Sequence, residues 1–127
     1  MKKFIVFLIA LISINLLSAQ TAFLRAKTLM VATKSQYTDK FLWGEPRAVD
    51  ILIRVEDGKV TIFSQTVQVY RKVSQTSKSA TISTYFCNDD KGNGCNLSLF
   101  TSETSPGSIF VFIEYNDMAW IYETTAD

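Results

Sequence analysis

The stretch Val55-Glu56-Asp57-Gly58-Lys59-Val60 decides the fold class. Asp-Gly between two runs of alternating apolar residues is the preferred pair for a two-residue type I′ turn, whose twist matches that of antiparallel strands. With Glu56 and Lys59 flanking the turn, Val55 faces Val60, Ile53 faces Ile62, and Arg54 faces Thr61. One face of this hairpin is then apolar and the other polar, as a half-buried antiparallel pair requires. The expectation is a core containing Ile53, Val55, Val60 and Ile62, with Arg54 and Thr61 outside.

A second hairpin is expected at Asn116-Asp117, pairing Tyr115 with Met118 and Ile113 with Trp120, with Glu114 opposite Ala119. Its first strand, 109–113, is apolar on both faces and should lie centrally, covered on both sides. Residues 59–64 and 67–73 read as strands whose apolar positions shift from even (Val60, Ile62) to odd (Val67, Val69). A turn or bulge near Gln65-Thr66 would keep both sets inward. Further strands are expected at 81–87 and 95–101, with 74–79 and 102–108 as loops. Residues 23–33 alternate as a strand with Leu24, Ala26, Thr28, Met30 and Ala32 on one face, although a short helix with Phe23, Ala26, Met30 and Thr33 on one side also fits. Residues 37–46 form a connection that tucks Phe41 and Trp43 against the sheet. The expectation is an all-β chain, a single small antiparallel meander of seven or eight strands, closed as a barrel or a sandwich.

Ahead of this domain, Lys2 and Lys3 precede an apolar run from Phe4 to Leu17, followed by Ser18-Ala19-Gln20. Basic, apolar, then small is the order of a secretory signal, and the run is shorter than the ~18 to 20 apolar residues that span a bilayer. Cleavage after Ala19 or Gln20 divides the chain into a signal peptide, 1–20, and one domain, 21–127. No second long apolar run would hold the mature chain in a membrane, so it is expected in the periplasm or outside the cell. Loss of the two lysines leaves eleven basic residues against twelve acidic ones. That balance gives no electrostatic reason to bind nucleic acid or an anionic membrane.

Cys87 and Cys95 flank Asn-Asp-Asp-Lys-Gly-Asn-Gly, a turn-rich loop, and in an exported chain they are expected to form a disulfide across the mouth of a hairpin. Their faces conflict: Cys95 shares one with Leu97 and Leu99, Cys87 with Ser83 and Tyr85, so an irregularity near Phe86 is expected. The loop itself has oxygen side chains at Asn88 and Asp90, but it departs from a calcium loop by a glycine at the third ligand position and by the lack of a following bidentate glutamate. It reads as a solvated turn.

The chemistry of the chain is sparse. There is no histidine, so general acid–base work would need a carboxylate with a displaced pKa. Glu114, at the end of an apolar strand, is the one carboxylate expected to be half-buried, and a strand residue paired with a lysine or arginine is its simplest reading. The serines have no base to activate them, and no glycine-rich loop forms a phosphate cradle. No catalytic, cofactor-binding or metal-binding set is assigned, and no cofactor is expected. Asn96-Leu97-Ser98 matches the glycosylation triplet by chance. Trp43-Gly44 reverses the lipocalin Gly-x-Trp, so that family is not indicated.

Taken together, Trp43, Val-Asp-Ile-Leu-Ile (49–53), Lys-Val-Thr-Ile-Phe-Ser (59–64), Gln68-Val69-Tyr70, the Cys87 to Cys95 loop and Ile113-Glu114-Tyr115-Asn116-Asp117 resemble small exported proteins of unassigned function from Bacteroidota-type bacteria. That resemblance implies export and a β fold and carries no activity. Two roles follow from the residues: a β-cup that holds a small apolar or glycan ligand against Tyr70, Trp120 and Tyr122, or an interaction module for another envelope protein. A closed cavity lined by aromatics would favour the first, a filled core with an exposed apolar face the second.

Overall fold

In the computed structural model, which describes residues 21–127, the chain is all-β. The segment read as a signal peptide, 1–20, lies outside the described residues. The described residues form nine strands: β1 (Ala22–Lys34), β2 (Phe41–Trp43), β3 (Arg47–Val55), β4 (Lys59–Phe63), β5 (Gln68–Lys78), β6 (Ile82–Asn88), β7 (Gly94–Thr101), β8 (Ile109–Glu114) and β9 (Met118–Ala126). From β3 to β9 each strand pairs antiparallel with the next. β1 then pairs with both β3 and β9, closing an eight-stranded barrel. β2 is the extra strand, laid along the second half of β1. Of the two closures left open by the sequence, the barrel is the one formed.

The founding hairpin has the expected register, Val55 opposite Val60, Ile53 opposite Ile62 and Arg54 opposite Thr61. The Glu56 amide donates to the Lys59 carbonyl at 2.9 Å, so two residues make the turn. The turn is not type I′, which needs positive φ at both central residues; neither Asp57 nor Gly58 has it. Its backbone also serves a tertiary contact, since the Gly58 carbonyl accepts from the Lys72 amide of β5 at 2.9 Å. Local preference therefore does not act alone here. The hairpin at Asn116-Asp117 pairs as expected, Ile113 with Trp120 and Glu114 with Ala119.

Inward side chains fill the barrel. Leu97, Leu99, Ile109, Val111 and Ile113 expose none of their surface, and Ile53, Val60 and Ile62 likewise. A void able to hold water beside them would leave some of that surface accessible, so the midsection is packed as in the smallest eight-stranded barrels. An apolar interior is the reverse of the polar lumen of barrels that span outer membranes. Among the described residues no helix is long and apolar enough to cross a membrane.

Several expectations about facing are corrected. In β1 the register shifts between Ala26 and Thr28 against both neighbours. Leu24 and Ala26 point inward, but beyond the bulge Leu29 and Val31 take that direction, opposite Tyr122 and Trp120. Thr28, Met30 and Ala32 turn outward. In β5 the inward residues are Gln68 and Tyr70, opposite Ile62 and Val60, while Val67 is exposed. A turn at 64–67 exists, yet no parity change occurs across it. The supposed loop 74–79 is mostly strand: β5 runs to Lys78 with two register shifts against β6, and its exposed polar residues look like a loop in composition. Strand β8 is not covered on both sides by other layers. Phe110 and Phe112 are half-buried on the outer surface, sheltered by Phe100 at 5.2 Å and Trp43 at 5.9 Å between ring centroids. Thr61, expected outside, faces outward but is only 3% exposed, because Arg54 and Val69 flank it in the same cross-strand row.

Candidate functional site

The two ends of the barrel differ. One end, the base, carries the turns at 56–58 and 79–81 and the loop 102–108. The other, the mouth, carries the turn 64–67, the loop 89–93 and the turn 115–117. Antiparallel alternation puts Gln68, Tyr70, Tyr115, Trp120 and Tyr122 together among the inward residues nearest the mouth.

Gln68, Tyr70 and Tyr115 are hydrogen-bonded within this layer, whereas the buried Trp120 Nε1 has no hydrogen-bond partner. The Tyr70 hydroxyl donates to Gln68 Oε1 at 2.6 Å, Gln68 Nε2 donates to Ser64 Oγ at 3.1 Å, and the Ser64 hydroxyl donates to the Thr66 carbonyl at 2.6 Å. Tyr115 stacks on Trp120 with ring centroids 5.6 Å apart. Its hydroxyl donates to Asp89 Oδ2 at 2.7 Å, tying the loop 89–93 to strand β8's end. The other oxygen, Asp89 Oδ1, accepts the backbone amides of Lys91 (2.9 Å) and Asn93 (2.8 Å). Gly92, at φ +83°, supplies the left-handed residue that this tight loop needs. Asp89 is thus a loop-forming residue, its oxygens occupied by protein donors. Its pKa is lowered, chiefly by the Tyr115 hydrogen bond. Burial pushes Tyr70, Tyr122 and Tyr115 above the ordinary phenol value, and for Tyr115 the carboxylate of Asp89 adds to it.

The residues expected to line a ligand cup therefore come together but plug it. Tyr70 and Tyr122 are 2% exposed and pack in the core with the aliphatic residues. Of Tyr70, Trp120 and Tyr122, only Tyr70 borders either of two clefts at the mouth. The first, about 300 Å³, lies between the 64–67 turn and the 89–93 loop, walled by Val67, Gln68, Tyr70, Asp89, Lys91 and Tyr115 among others. The second, about 250 Å³, lies on the outer rim between Lys34, Phe41, Phe86, Glu114 and Asn116. Glu114 is half-buried there, as expected.

Cys87 and Cys95 stand directly opposite each other on β6 and β7, and the expected disulfide is corrected: both are free, buried thiols. Loop spacing alone suggested a bridge, but the two residues act as small inward-facing core members, continuous with Tyr85 and Leu97. Nor is there any irregularity at Phe86. Ser83 and Tyr85 also face inward, buried opposite Leu99 and Leu97, so the supposed conflict of faces came from taking a serine and a tyrosine as outward. Burial, with a smaller contribution from Cys95, pushes the Cys87 thiol up to about 12, which leaves it protonated and unreactive near neutral pH.

Sequence reasoning missed Gln68 and Asp89, and it left Tyr115, one of the aromatics that could line a cavity, out of the set of Tyr70, Trp120 and Tyr122. The Asn116-Asp117 register offered the signal for one of them, because it puts Tyr115 on the inward face with Ile113.

A second feature lies on the outside of β6–β9 and β1. Pairing rows place Ile82, Phe100 and Phe110 side by side, and Phe112, Ile121 and Met30 one row away. Trp43 reaches this group across Ala32 and Ala119, which are buried although they point outward. Phe86 is a further exposed aromatic on the same wall. No family model, curated protein or solved structure matches the chain.

Proposed function

We propose that this protein is an exported, non-catalytic interaction module that presents the aromatic outer wall of β6–β9 to another protein of the cell envelope. One observation carries the reading: the barrel interior is filled by side chains with no exposed surface, while large apolar residues gather on the outer wall. A small ligand needs a concavity, and the midsection offers none beside Leu97, Leu99 or Val111. A contiguous exposed apolar group is what interaction sites show, and aromatic residues dominate the central, energetically important part of such sites. Export is supported by the basic, apolar, small order of residues 1–20. The absence of histidine from the sequence supports a non-catalytic role.

The test is photo-crosslinking in the native host. A benzoylphenylalanine replaces Phe110 or Phe112 on the wall, and Gln75 on exposed β5 serves as the comparison. Discrete adducts with an envelope protein are expected from the two wall positions and not from Gln75. Equal yields from all three, or no adduct from the wall, would overturn the proposal.

A further inference from the structure

The cleft of about 250 Å³ on the outer rim is bordered by four polar side chains, those of Lys34, Asn96, Glu114 and Asn116. Among the described residues none of these four side chains makes a hydrogen bond or an ion pair. Strand pairing brings them together. Phe86, Asn96 and Glu114 stand side by side on the outside of β6, β7 and β8. Neighbouring strands are about 4.8 Å apart, so Phe86 and Glu114 lie two spacings, about 10 Å, from each other. Lys34 and Phe41, opposite each other on β1 and β2, bound the cleft from the β9 side.

A glycine sets the aromatic side of this cleft. Gly94, at the start of β7, does not have the positive φ for which glycine is usually needed. Its use is steric. A β-carbon at residue 94 would stand 2.7 Å from Cζ of the Phe86 ring and 3.0 Å from Cε1. The ring therefore occupies the space that a side chain at 94 would take, leaning across β7 beside Asn96, and Phe86 remains 38% exposed. Glycine inside a strand weakens it and marks a place of close approach. Here it holds an open aromatic ring within reach of unpartnered polar groups.

We infer that this cleft binds a single neutral sugar ring, one face against Phe86 and its hydroxyls on Asn96, Glu114, Asn116 and Lys34. A sugar hydroxyl both donates and accepts, and the four side chains offer both: two amide carbonyls and a carboxylate accept, two amides and an ammonium donate. The charges of Lys34 and Glu114 cancel, so an ion of either sign meets a like charge that a neutral ring does not. An apolar ligand would strip water from four polar groups and return no hydrogen bond. The volume falls just below the ~300 to 1,000 Å³ of drug-sized sites, which suits one ring. Such a ring can be a free sugar or the end of a surface glycan, and the chemistry is shared. The cleft adjoins the aromatic wall through Phe86, but binding here needs no protein partner, so it stands or falls independently of crosslinking at Phe110.

The experiment is a titration followed by amide proton–nitrogen chemical shifts. The probes are the methyl glycosides of glucose, galactose, mannose and N-acetylglucosamine, with cyclohexanol as a six-membered ring carrying one hydroxyl. At least one glycoside is expected to give saturable shifts confined to residues 34, 41, 86, 94–96 and 114–116. Cyclohexanol should bind about tenfold more weakly than that glycoside, having lost several hydrogen bonds. Glu114→Gln should weaken the glycoside about fivefold, the difference between a charge-assisted and a neutral hydrogen bond. Phe86→Leu and Gly94→Ala should each weaken it about threefold, and the double variant no more than either alone, because both remove the same ring contact. Phe86→Leu alters only an exposed side chain, so it keeps the test open should Gly94→Ala fail to fold. No saturable shift from any glycoside, cyclohexanol binding equally well, or an affinity untouched by Glu114→Gln or Phe86→Leu would each overturn the inference. A disaccharide with the best-bound ring at its non-reducing end separates the sources: equal or tighter binding assigns the site to a glycan, weaker binding to a free sugar.

Discussion

The base and the mouth of this barrel are closed by different chemistry. Toward the base, Leu24, Val55, Val60 and Ile109 meet in an aliphatic layer, where packing is non-directional and any apolar side chain of suitable volume serves. Toward the mouth, three tyrosines, a tryptophan and a glutamine fill the same cross-section, where polar atoms need partners because an unpaired buried one is costly; Gln68, Tyr70 and Tyr115 have them, and the Trp120 Nε1 goes without. The aliphatic set sits on β1, β3, β4 and β8 and the polar set on β5, β9 and the residue after β8, with the same inward alternation in both. The difference teaches that strand periodicity specifies which residues enter a barrel only where the inward set is aliphatic.

The largest effect should come from breaking the aliphatic layer. Ile53 and Ile62 are neighbours across β3 and β4 with no exposed surface. Replacing either by Asp puts a carboxylate where no donor waits, at several kcal/mol against a total stability of ~5 to 15 kcal/mol. The expected outcome is loss of the cooperative urea transition followed by circular dichroism. A variant that still melts cooperatively would mean that the aliphatic layer is not the core.

The mouth should respond to pH instead. Tyr70, Tyr85, Tyr115 and Tyr122 all have raised pKa values in the fold, with burial the first cause in each. The unfolded chain releases these protons near pH 10, before the folded chain does. Their contribution is therefore complete below about pH 10 and is lost progressively above it. Urea midpoints measured from pH 8 to 11.5 should fall steeply beyond 10. Tyr70→Phe should lessen that fall while lowering stability at pH 8 by about 1 to 2 kcal/mol, because Gln68 Oε1 loses its donor. A midpoint indifferent to alkali would mean that the phenols are solvated.

How much of this could be read in the sequence follows the same division. The Asp57-Gly58 hairpin, the Asn116-Asp117 hairpin and the all-β class were legible because Ile, Val and Leu alternate cleanly there. The facing of β5 was not, since Val67 and Val69 look like core and Gln68 and Tyr70 do not. The choice is made by the hydrogen bonds that Gln68 and Tyr70 find inside. β6 misled in the same way through Ser83 and Tyr85. In β1, the bulge beyond Ala26 reverses the inward face, and nothing in Lys27-Thr28 announces it. The mouth cluster was half legible: Tyr70, Trp120 and Tyr122 were grouped, but as the lining of a cup. Filling needs the volumes of all eight strands at once.

The smallest effect should lie on the outer surface near the base, and it decides whether facing or burial governs tolerance. Arg54 points outward, its Nε 3.3 Å from Glu56 Oε2 and its guanidinium 5.4 Å above the Phe63 ring. Exposed ion pairs contribute about 0 to 1 kcal/mol, and a cation over an exposed ring about 0.5 to 1 kcal/mol. Both are lost in Arg54→Ala. Against that, Arg54 covers Thr61, whose buried hydroxyl makes no hydrogen bond within the protein. Removing the long side chain admits water to that hydroxyl and offsets part of the loss. Arg54→Ala should therefore change stability by less than about 1 kcal/mol, with an unchanged urea m-value. Thr61→Asp, on the same outward face, should cost more, because its neighbours bury it. If the two substitutions proved equally mild, outward facing alone would set tolerance. A larger loss for Thr61→Asp would show that Arg54 and Val69 form a partial second layer, which the alternation of β4 does not reveal.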